Sequence, residues 1–354
     1  QLVGRARSLT VHLYVETTYA NPLIEEPWAD PAVAGPDREG WYWSYATDDD
    51  HEPLPRRQFK VARSRDLVRW ETHPDGARLG ALPDPIPNYG RHRASWAPDV
   101  RRLGPDSWVL YGSLRFDDHE HDGENGHGIF VARSSGPTGF AEPQVLRRGP
   151  GFTVIDPCHY RSSRLGRSFL YWGSGFAPIF GQELREDGLA FEPGSVPRAV
   201  LHPNPHEPDE RLWEGVHVIE HPDDGHPIMI ASSACTWIGP YRAHSFRAGD
   251  HPLDLFTPNP SGRPLLTENA VWGLCGQVFV QTDAIGQHWI FYHAVREGAV
   301  IPGTEDLEHM GRRGVPLRQL CMDRLLFDSA GHPYVADGSP SWTTKPGPVV
   351  RKRF

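Results

Sequence analysis

The feature that most constrains the fold of this 354-residue chain is a fivefold repeat of strand-like segments. In each unit, a short apolar run with one polar residue precedes a strand rich in aromatic or aliphatic residues: W-Y-W-S-Y-A (41–46), W-V-L-Y-G-S-L (108–114), F-L-Y-W-G-S-G (169–175), I-M-I-A-S-S-A (228–234) and W-I-F-Y-H-A (289–294). The polar-bearing runs open near residues 29, 97, 155, 213 and 275, at spacings of 68, 58, 58 and 62 residues. A period of about 60 residues with four strands per unit is typical of a β-propeller.

We therefore predict an all-β fold, a five-bladed β-propeller, as one domain over residues 1–354. The blades are expected at about 26–71, 95–143, 154–193, 213–256 and 275–335, with fourth strands at 66–71, 138–143, 188–193 and 253–256. Two stacked β-sandwich domains are the alternative, but they do not explain why each unit opens with a polar residue. The segment S-L-T-V-H-L-Y-V (8–15) lies outside the repeat. We expect it to add to the last blade and close the ring, with an arm over the surface as the alternative.

Composition agrees with this fold and excludes several partners. The chain has 36 glycines and 35 prolines, which favours strands joined by many turns. Its net charge of −9 and the lack of a large Lys/Arg cluster give no general attraction for nucleic acid or anionic lipid. No apolar run approaches the roughly 18 residues of a membrane span, so we expect a soluble protein with a neutral partner.

Cysteine usage and the start of the chain bear on metal binding and location. The four cysteines, Cys158, Cys235, Cys275 and Cys321, form no C-x-x-C pair, which argues against a zinc site but leaves one disulfide open. The chain starts at Gln1 without a charged-then-apolar leader, as expected of either a processed secreted protein or a trimmed sequence. We expect a secreted, extracellular protein and a monomer.

Three acidic residues in the polar-bearing runs are expected to meet. The innermost strand of every propeller blade lines the central axis, so Asp30, Asp156 and Glu214, on blades 1, 3 and 4, converge on one axial pocket. Taken alone, Asp30 before a proline is more typical of a turn. Three like charges in a poorly solvated pocket drive their pKa values apart, which allows an acid and a base to coexist at one pH.

The motifs around these residues resemble those of glycoside hydrolase family 43. They are W-A-D-P-A-V (28–33), S-W-A-P-D-V (95–100), V-I-D-P-C-H-Y (154–160), W-E-G-V-H-V (213–218) and a last segment from G-Q-V-F-V (276–280) to F-Y-H-A (291–294). This family contains α-L-arabinofuranosidases, arabinanases and β-xylosidases on a five-bladed propeller. The resemblance implies that Asp30 is the general base, that Asp156 orients and tunes the acid, and that Glu214 is the general acid.

Glycoside hydrolysis with inversion needs the same residue types. One carboxylate activates water on one face of the sugar, and one carboxylic acid protonates the leaving oxygen on the other, about 6.5 to 9.5 Å away. Blades 1 and 4 of a five-blade ring face each other at a separation of that order. We expect Asp156 to lie near Glu214 and to raise its pKa by repulsion between like charges.

Further candidates line the expected pocket. Trp96 is a candidate wall for a sugar ring, with inter-blade core as the alternative, and Arg318 matches a family arginine that pairs with the base or a sugar hydroxyl. Asp99 is expected to be structural. Weaker candidates for subsite walls lie after or between strands: Phe176, Trp237 and Trp272.

The sequence departs from the family pattern at the head of blade 5. The family usually has Gly-His there, with the His helping to hold a hydrated metal ion on the axis, whereas this chain has Gly276 and Gln277. An amide oxygen can face water or Ca²⁺ but cannot ligate as imidazole does. We therefore expect no required cofactor, at most a weakly held axial Ca²⁺, and a Gln277 that acts on the acid only through water. The segment D-D-H-E-H-D-G-E-N-G-H-G (117–128) lacks regular ligand spacing and is interpreted as a solvated loop.

These observations predict an inverting glycoside hydrolase, and most specifically an exo-acting α-L-arabinofuranosidase on arabinose-containing plant polysaccharide or its oligosaccharides. A β-xylosidase or β-galactosidase of the same architecture is an alternative, because rim loops rather than axial carboxylates select the sugar. A glycan-binding propeller without turnover is an alternative of another class. The three carboxylates argue against it, since binding alone needs no acid and base.

Overall fold

The structure is a computed structural model that describes residues 13–47, 59–72, 92–116, 126–236, 240–304, 308–309, 312–336 and 340–352. Within these ranges the chain is built from strands and turns, with one short 3₁₀ turn at Pro208–Glu210 and no α-helix. Over the same part of the chain, no helix has the length and apolar character needed to cross a bilayer.

The strands form five antiparallel four-stranded sheets and two small ribbons. After β1 (Leu13–Tyr19), blade 1 contains β2 (Ala32–Ala34), β3 (Tyr42–Ala46), β4 (Lys60–Ser64) and β5 (Glu71–Thr72). Blade 2 contains β6 (His92–Gly104), β7 (Ser107–Phe116), β8 (His127–Ser134) and β9 (Ala141–Gly149). Blade 3 contains β10 (Cys158–Ser162), β11 (Arg167–Trp172), β12 (Ile179–Leu184) and β13 (Arg198–Leu201).

The second half of the chain repeats this order. Blade 4 contains β14 (Trp213–Glu220), β15 (Pro227–Ser233), β16 (Arg242–Arg247) and β17 (Thr257–Pro258). Blade 5 contains β18 (Trp272–Thr282), β19 (His288–Val300), β22 (Pro316–Phe327) and β23 (Pro333–Val335), with the ribbon β20 (Glu308–His309) and β21 (Arg312–Arg313) inserted. The last strand is β24 (Lys345–Lys352).

The first strands of the blades form the inner ring. Strand β2 contacts β6, β6 contacts β10, β10 contacts β14, β14 contacts β18, and β18 returns to β2. This closed circuit confirms the predicted five-bladed β-propeller and gives each first strand a face on the axis.

The fourth strands lie further along the chain than predicted in blades 1 to 4. The apolar residues that suggested strands at 66–71, 138–143 and 253–256 include Leu67, Phe140 and Phe256, which are buried in hydrophobic clusters. These side chains belong to the connecting segments and pack into the core. The fourth strands, which pair with the third strands, begin only after them, as at Glu71–Thr72 and Thr257–Pro258.

The expected addition of the N-terminal strand to the last blade is also corrected. Strand β1 pairs antiparallel with β24 in a separate ribbon, because β23 already occupies the outer edge of blade 5. Residues 8–12 of the predicted strand lie outside the described residues. The first and last blades are joined just after β1, where Asn21 and Met322 exchange hydrogen bonds of 2.9 Å and the Trp28 N–H donates to the Arg318 carbonyl at 2.7 Å.

Candidate active site

The first strands bend at one equivalent residue in every blade. These five residues, called here the corner layer, all have a positive φ of 46° to 59°: Asp30, Ala97, Asp156, Gly215 and Gln277. Four of them carry a side chain, for which this left-handed conformation is uncommon and costs free energy. In blades 2, 4 and 5 the pairing with the second strand shifts register at this point. The bend turns the first strand at the level where the three predicted carboxylates lie.

Each corner N–H donates a hydrogen bond to a side chain of the preceding blade. The acceptors, in corner order from Asp30 to Gln277, are His293 Nδ1 at 3.2 Å, Thr47 Oγ1 at 2.9 Å, Ser113 Oγ at 2.8 Å, Asp156 Oδ2 at 2.9 Å and Ser232 Oγ at 2.8 Å. At blade 4 the acceptor is therefore Asp156 itself. The hydroxyl of Ser174, near the end of the second strand of blade 3, donates instead to Glu214 Oε2 at 2.7 Å.

Asp30 is held as a carboxylate. Its side chain is 12% exposed, Arg318 Nη1 lies 3.1 Å from Oδ1, and the Thr47 hydroxyl donates to Oδ2 at 2.5 Å. Burial by itself would raise the pKa of Asp30, but the Arg318 guanidinium and the hydrogen bond from Thr47 act against it, and that pKa is held well below its usual range. The expected pairing of Arg318 with Asp30 is present in the structure.

Glu214 and Asp156 have the opposite tendency. Burial raises the pKa of Glu214 to about 7, with the Asp30 charge adding to the effect, although hydrogen bonds from Ser174 and Tyr241 act against it. Burial also raises the pKa of Asp156 well above its usual range, and the charges of Glu214 and Asp30 raise it further. Repulsion was expected to be the main cause, but loss of water around the carboxyl groups is the larger one. The pocket therefore favours an ionised Asp30 beside a protonated Glu214.

Gln277 contacts this pair directly, contrary to the expectation that it acts through water. Its side chain forms a hydrogen bond with Asp156, which lowers the pKa of that carboxyl, and its Oε1 accepts from the Tyr241 hydroxyl at 3.2 Å. The approach is so close that a Cβ on Gly215 would lie 2.0 Å from Gln277 Oε1. A glycine is required at that corner by space as well as by its positive φ.

The sequence did not reveal the supporting residues Thr47, Ser174, Tyr241 and His293. Three of them lie within or just after second strands of the repeat, where small polar residues or His recur after an apolar run, as in Y-G-S (111–113) and W-G-S (172–174). That recurrence was the available signal. Tyr241 precedes a third strand and had no comparable signal.

The predicted aromatic candidates have three different outcomes. Trp96 is partly exposed and stacks with His127, at 5.2 Å between ring centroids, and with Phe152, which is 45% exposed and was not predicted. Phe176 is 71% exposed, between β11 and β12. Trp272 as a sugar wall is wrong, because its side chain is fully buried in a hydrophobic cluster that includes Leu266 and Tyr292. Trp237 lies outside the described residues.

A second ring of side chains lies two residues further along the first strands. This lower layer consists of Ala32, Asp99, Cys158, His217 and Phe279. The Arg101 guanidinium lies across it, with Nε 2.7 Å from Asp99 Oδ1, Nη2 3.5 Å from His217 Nδ1, and its carbon 4.6 Å from the Phe279 ring centre. The buried Asp99 also accepts the His159 N–H at 2.5 Å, in agreement with the structural role expected for it.

The residues at the axis do not fit the calcium ion that the family pattern implies. Ca²⁺ takes six to eight oxygen ligands, whereas the lower layer offers one carboxylate already paired with Arg101, a thiol and an imidazole. The Gln277 oxygen accepts from Tyr241. Across the residues that the structure describes, no group of three or more His, Cys, Asp or Glu side chains could hold a metal ion. Residues 117–125 of the acidic, His-containing segment lie outside that part of the chain.

The cysteines add no cross-link to the site. Cys158, Cys275 and Cys321 are buried as thiols, and burial raises the pKa of each. The disulfide left open by the sequence does not form among these three residues.

Comparison with known proteins agrees with this geometry. The family model described as Glycosyl hydrolases family 43 matches residues 19–333. A search of curated protein sequences found no significant match. Among solved structures, the family-43 protein BlXynB from Bacillus licheniformis is 18% identical with a TM-score of 0.69, and the match covers 96% of this chain and 60% of that one.

Two further structures carry named activities. An exo-1,5-α-L-arabinanase from a bovine ruminal metagenomic library is 17% identical, with a TM-score of 0.64 and coverage of 87% of this chain and 96% of that chain. A xylan β-1,4-xylosidase from Bacillus halodurans C-125 is 16% identical, with a TM-score of 0.70 and coverage of 92% and 59%. The chain thus spans about 60% of the length of BlXynB and of the xylosidase. At these identities the similarity establishes the shared fold.

Proposed function

Since this chain belongs to glycosyl hydrolase family 43, an inverting family of O-glycosidases, we propose that it is an exo-acting α-L-arabinofuranosidase in which Asp30, Asp156 and Glu214 carry the reaction. The observation that supports this most strongly is the pair of opposite pKa shifts in one pocket. Asp30 is stabilised as a carboxylate, and Glu214 is stabilised as a carboxylic acid. Inversion requires one group of each kind.

Asp30 is the general base in this proposal. Its carboxylate accepts a proton from a water molecule that attacks the anomeric carbon, and Arg318 and Thr47 hold the two oxygens in place. Because the same contacts make Asp30 a weak base, it is suited to accept the proton only as the water oxygen bonds to carbon. Arg318 is a positioning residue here, since its contact is with the base.

Glu214 is the general acid. The Ser174 hydroxyl fixes one of its carboxyl oxygens, so the other is available to the glycosidic oxygen. Asp156 orients this group through the Gly215 N–H, which it binds at 2.9 Å and which directly follows Glu214 in the chain. The negative charge of Asp30 favours retention of the proton until the leaving group takes it.

The choice of sugar rests on weaker support. The stacked side chains of Trp96, which is partly exposed, and Phe152, which is exposed, offer apolar ring faces suited to a neutral sugar, and the net charge of −9 disfavours an acidic glycan. One structurally similar protein is named an exo-1,5-α-L-arabinanase, which favours arabinose in plant glycans as the substrate. The xylosidase among the similar structures keeps a β-xylosidase as the second candidate. We further propose that the protein acts outside the cell as a monomer without a cofactor.

The test is a panel of 4-nitrophenyl glycosides: α-L-arabinofuranoside, β-D-xylopyranoside and β-D-galactopyranoside. We expect the highest kcat/KM on the arabinofuranoside and the release of single arabinose units from arabino-oligosaccharides. A preference for the xyloside or galactoside would replace the sugar assignment and leave the mechanism intact. Binding of oligosaccharides without turnover of any substrate would favour the glycan-binding alternative.

Product stereochemistry tests the role of Asp30 separately. If water attacks directly, NMR of the first-formed product shows the anomeric configuration opposite to that of the substrate. Net retention would require a covalent nucleophile and would contradict the assignment of Asp30 as a base.

A further inference from the structure

Tyr241 is a buried residue of the pocket with no role in the reaction as described so far. It directly precedes β16, is 1% exposed, and lies parallel to the His293 ring with 5.6 Å between ring centroids. A Cβ on Gly276 would lie 2.4 Å from the Tyr241 ring. The ring is therefore enclosed on at least two sides, and its hydroxyl is placed accurately.

The hydroxyl of Tyr241 has one proton and two acceptors. It donates to Gln277 Oε1 at 3.2 Å, and it is also within hydrogen-bond reach of the Glu214 carboxylate. Ser232 provides a hydrogen bond to the phenol oxygen, while its own oxygen accepts the Gln277 N–H at 2.8 Å. Because the Tyr241 hydroxyl has a single proton, it can donate to either Gln277 or Glu214 but not to both at once.

We propose that Tyr241 is a positioning residue whose hydroxyl follows the protonation state of Glu214, donating to Gln277 Oε1 when Glu214 is protonated and to the Glu214 carboxylate after its proton has moved to the leaving group. No proton leaves Tyr241. The O–H bond only rotates about the C–O bond, and Glu214 regains its proton from water after the products depart. This inference rests on the proposed role of Glu214 as the general acid.

The Gln277 amide fixes which of its atoms faces the Tyr241 hydroxyl. Its amide nitrogen is the donor to Asp156, so its oxygen is left to accept from Tyr241. An amide keeps one donor side and one acceptor side at every pH, which an imidazole that gains a proton does not. The Gln in place of the family histidine thus supplies a permanent second acceptor for the Tyr241 hydroxyl.

The other ionisable groups facing this hydroxyl are Asp156, Asp30, His293 and Arg318. Arg318 and Asp30 form an ion pair, and burial lowers the pKa of His293, so none of these three gains or loses a proton near neutral pH. Asp156 is the exception, because its pKa is raised together with that of Glu214. An experiment therefore has to distinguish the glutamate from the aspartate.

The first test is Tyr241→Phe, which keeps the ring and removes the hydroxyl. The ionised Glu214 then loses a donor, so we expect the alkaline limb of the kcat/KM profile to move up by about one pH unit. Turnover at low pH should fall by less than about tenfold. Carbon-13 NMR of glutamate-labelled protein, with the Glu214 signal identified from its absence in Glu214→Gln, should show the same upward shift of the Glu214 pKa.

The second test is Gln277→Met, which keeps the length of the side chain and removes its acceptor. The Tyr241 hydroxyl is then left with Glu214 alone, so we expect the limb and the NMR pKa to move down, opposite to Tyr241→Phe. The matched control is Tyr171→Phe, a buried tyrosine of blade 3 whose hydroxyl donates to the Pro252 carbonyl at 2.8 Å. It should lower the melting temperature without moving either pKa readout.

Shifts of opposite sign in the two variants would support the proposal. The proposal would be overturned if the alkaline limb of the kcat/KM profile and the NMR pKa of Glu214 stayed unchanged in folded Tyr241→Phe. It would also be overturned if both quantities moved upward in both variants. The NMR measurement needs no substrate, so it tests the hydrogen-bond arrangement of Tyr241 independently of whether the protein hydrolyses glycosides. Shifts of opposite sign in a protein that hydrolyses no glycoside would contradict the proposed function and leave this hydrogen-bond arrangement standing.

Discussion

The corner layer and the lower layer are two residues apart on the same first strands, and burial raises the pKa of a carboxyl group in each, but the two layers differ in the partners of their carboxyl groups. At the corner level, the Arg318 guanidinium contacts Asp30, and the other two carboxyl groups, those of Asp156 and Glu214, have raised pKa values. In the lower layer, the one carboxylate, Asp99, has a guanidinium of its own from Arg101. An excess of carboxyl groups over guanidinium groups favours a carboxyl group that keeps its proton, whereas a guanidinium in direct contact opposes the effect of burial and favours an ion pair.

The largest effect should come from Asp30 at the corner level. We expect Asp30→Asn to lower kcat/KM by about a thousandfold or more on every substrate, because no other group accepts the water proton. Glu214→Gln should be equally severe on oligosaccharides but much milder on aryl glycosides with acidic phenols, which depart without a proton. Kinetics with a series of phenols of different pKa provide the measurement. Equal damage on both kinds of substrate would show that Glu214 is not the acid.

Breaking the ion pair of the lower layer should affect stability rather than turnover. Arg101→Met leaves the Asp99 carboxylate buried without its partner, at a cost of about 3 to 5 kcal/mol in the free energy of unfolding. Denaturant titration measures this loss, and the double variant Asp99→Asn, Arg101→Met should recover part of it. We expect the folded fraction to keep its kcat. A large loss of kcat in stable Arg101→Met protein would mean that the two layers are not separate in function.

The third prediction compares the loss of kcat on substitution of Asp156 and of Gln277, the two residues that contact each other next to the general acid Glu214. Asp156→Asn replaces the carboxyl group that accepts the Gly215 N–H by a neutral amide, which can keep this hydrogen bond but cannot ionise, so we expect about a hundredfold loss of kcat. Gln277→Ala removes neutral hydrogen bonds and should be milder. Rates measured at several pH values would reveal a mere shift of the optimum. A greater loss in Gln277→Ala than in Asp156→Asn would contradict this ranking.

The pH profile of the unmodified enzyme is the fourth prediction. Glu214 acts in its protonated form and has a pKa of about 7, so kcat/KM should fall as the pH rises through about 7, by tenfold per unit above it. Asp30 acts in its ionised form and its pKa is held low, so it should cause no loss of activity between pH 5 and 7. Initial rates on an aryl glycoside in constant-ionic-strength buffers measure the profile. Activity that rises with pH above 7 would reverse the assignment of acid and base.

The smallest effect should follow from removal of metal ions. Because the axis offers a guanidinium in place of a set of oxygen ligands, we expect exhaustive chelation to leave most of the activity and added Ca²⁺ to change it by less than about tenfold. Activity before and after chelation, with metal content measured by mass spectrometry, is the test. Complete loss of turnover that one specific metal restores would show that a metal is needed despite Arg101.

The sequence alone determined the architecture and the three central carboxyl groups. A period of about 60 residues leaves few alternatives to a propeller, and matching positions in first strands must converge because the ring closes on itself. Asp30, Asp156 and Glu214 were found this way, whereas Arg318 and the exceptional Gln277 were identified from the resemblance to family 43. Periodicity carries this information because the same backbone position faces the axis in every blade.

Tertiary structure alone decided which groups contact those carboxyls. Thr47, Ser174, Tyr241 and His293 reach the pocket from second strands and loops of neighbouring blades, at sequence separations that no local pattern encodes. It also decided that Trp272 is core, that β1 pairs with β24, and that Gln277 contacts Asp156 directly. The physical reason is that burial and hydrogen-bond geometry depend on how adjacent blades pack, and the raised pKa values of Glu214 and Asp156 are consequences of that packing.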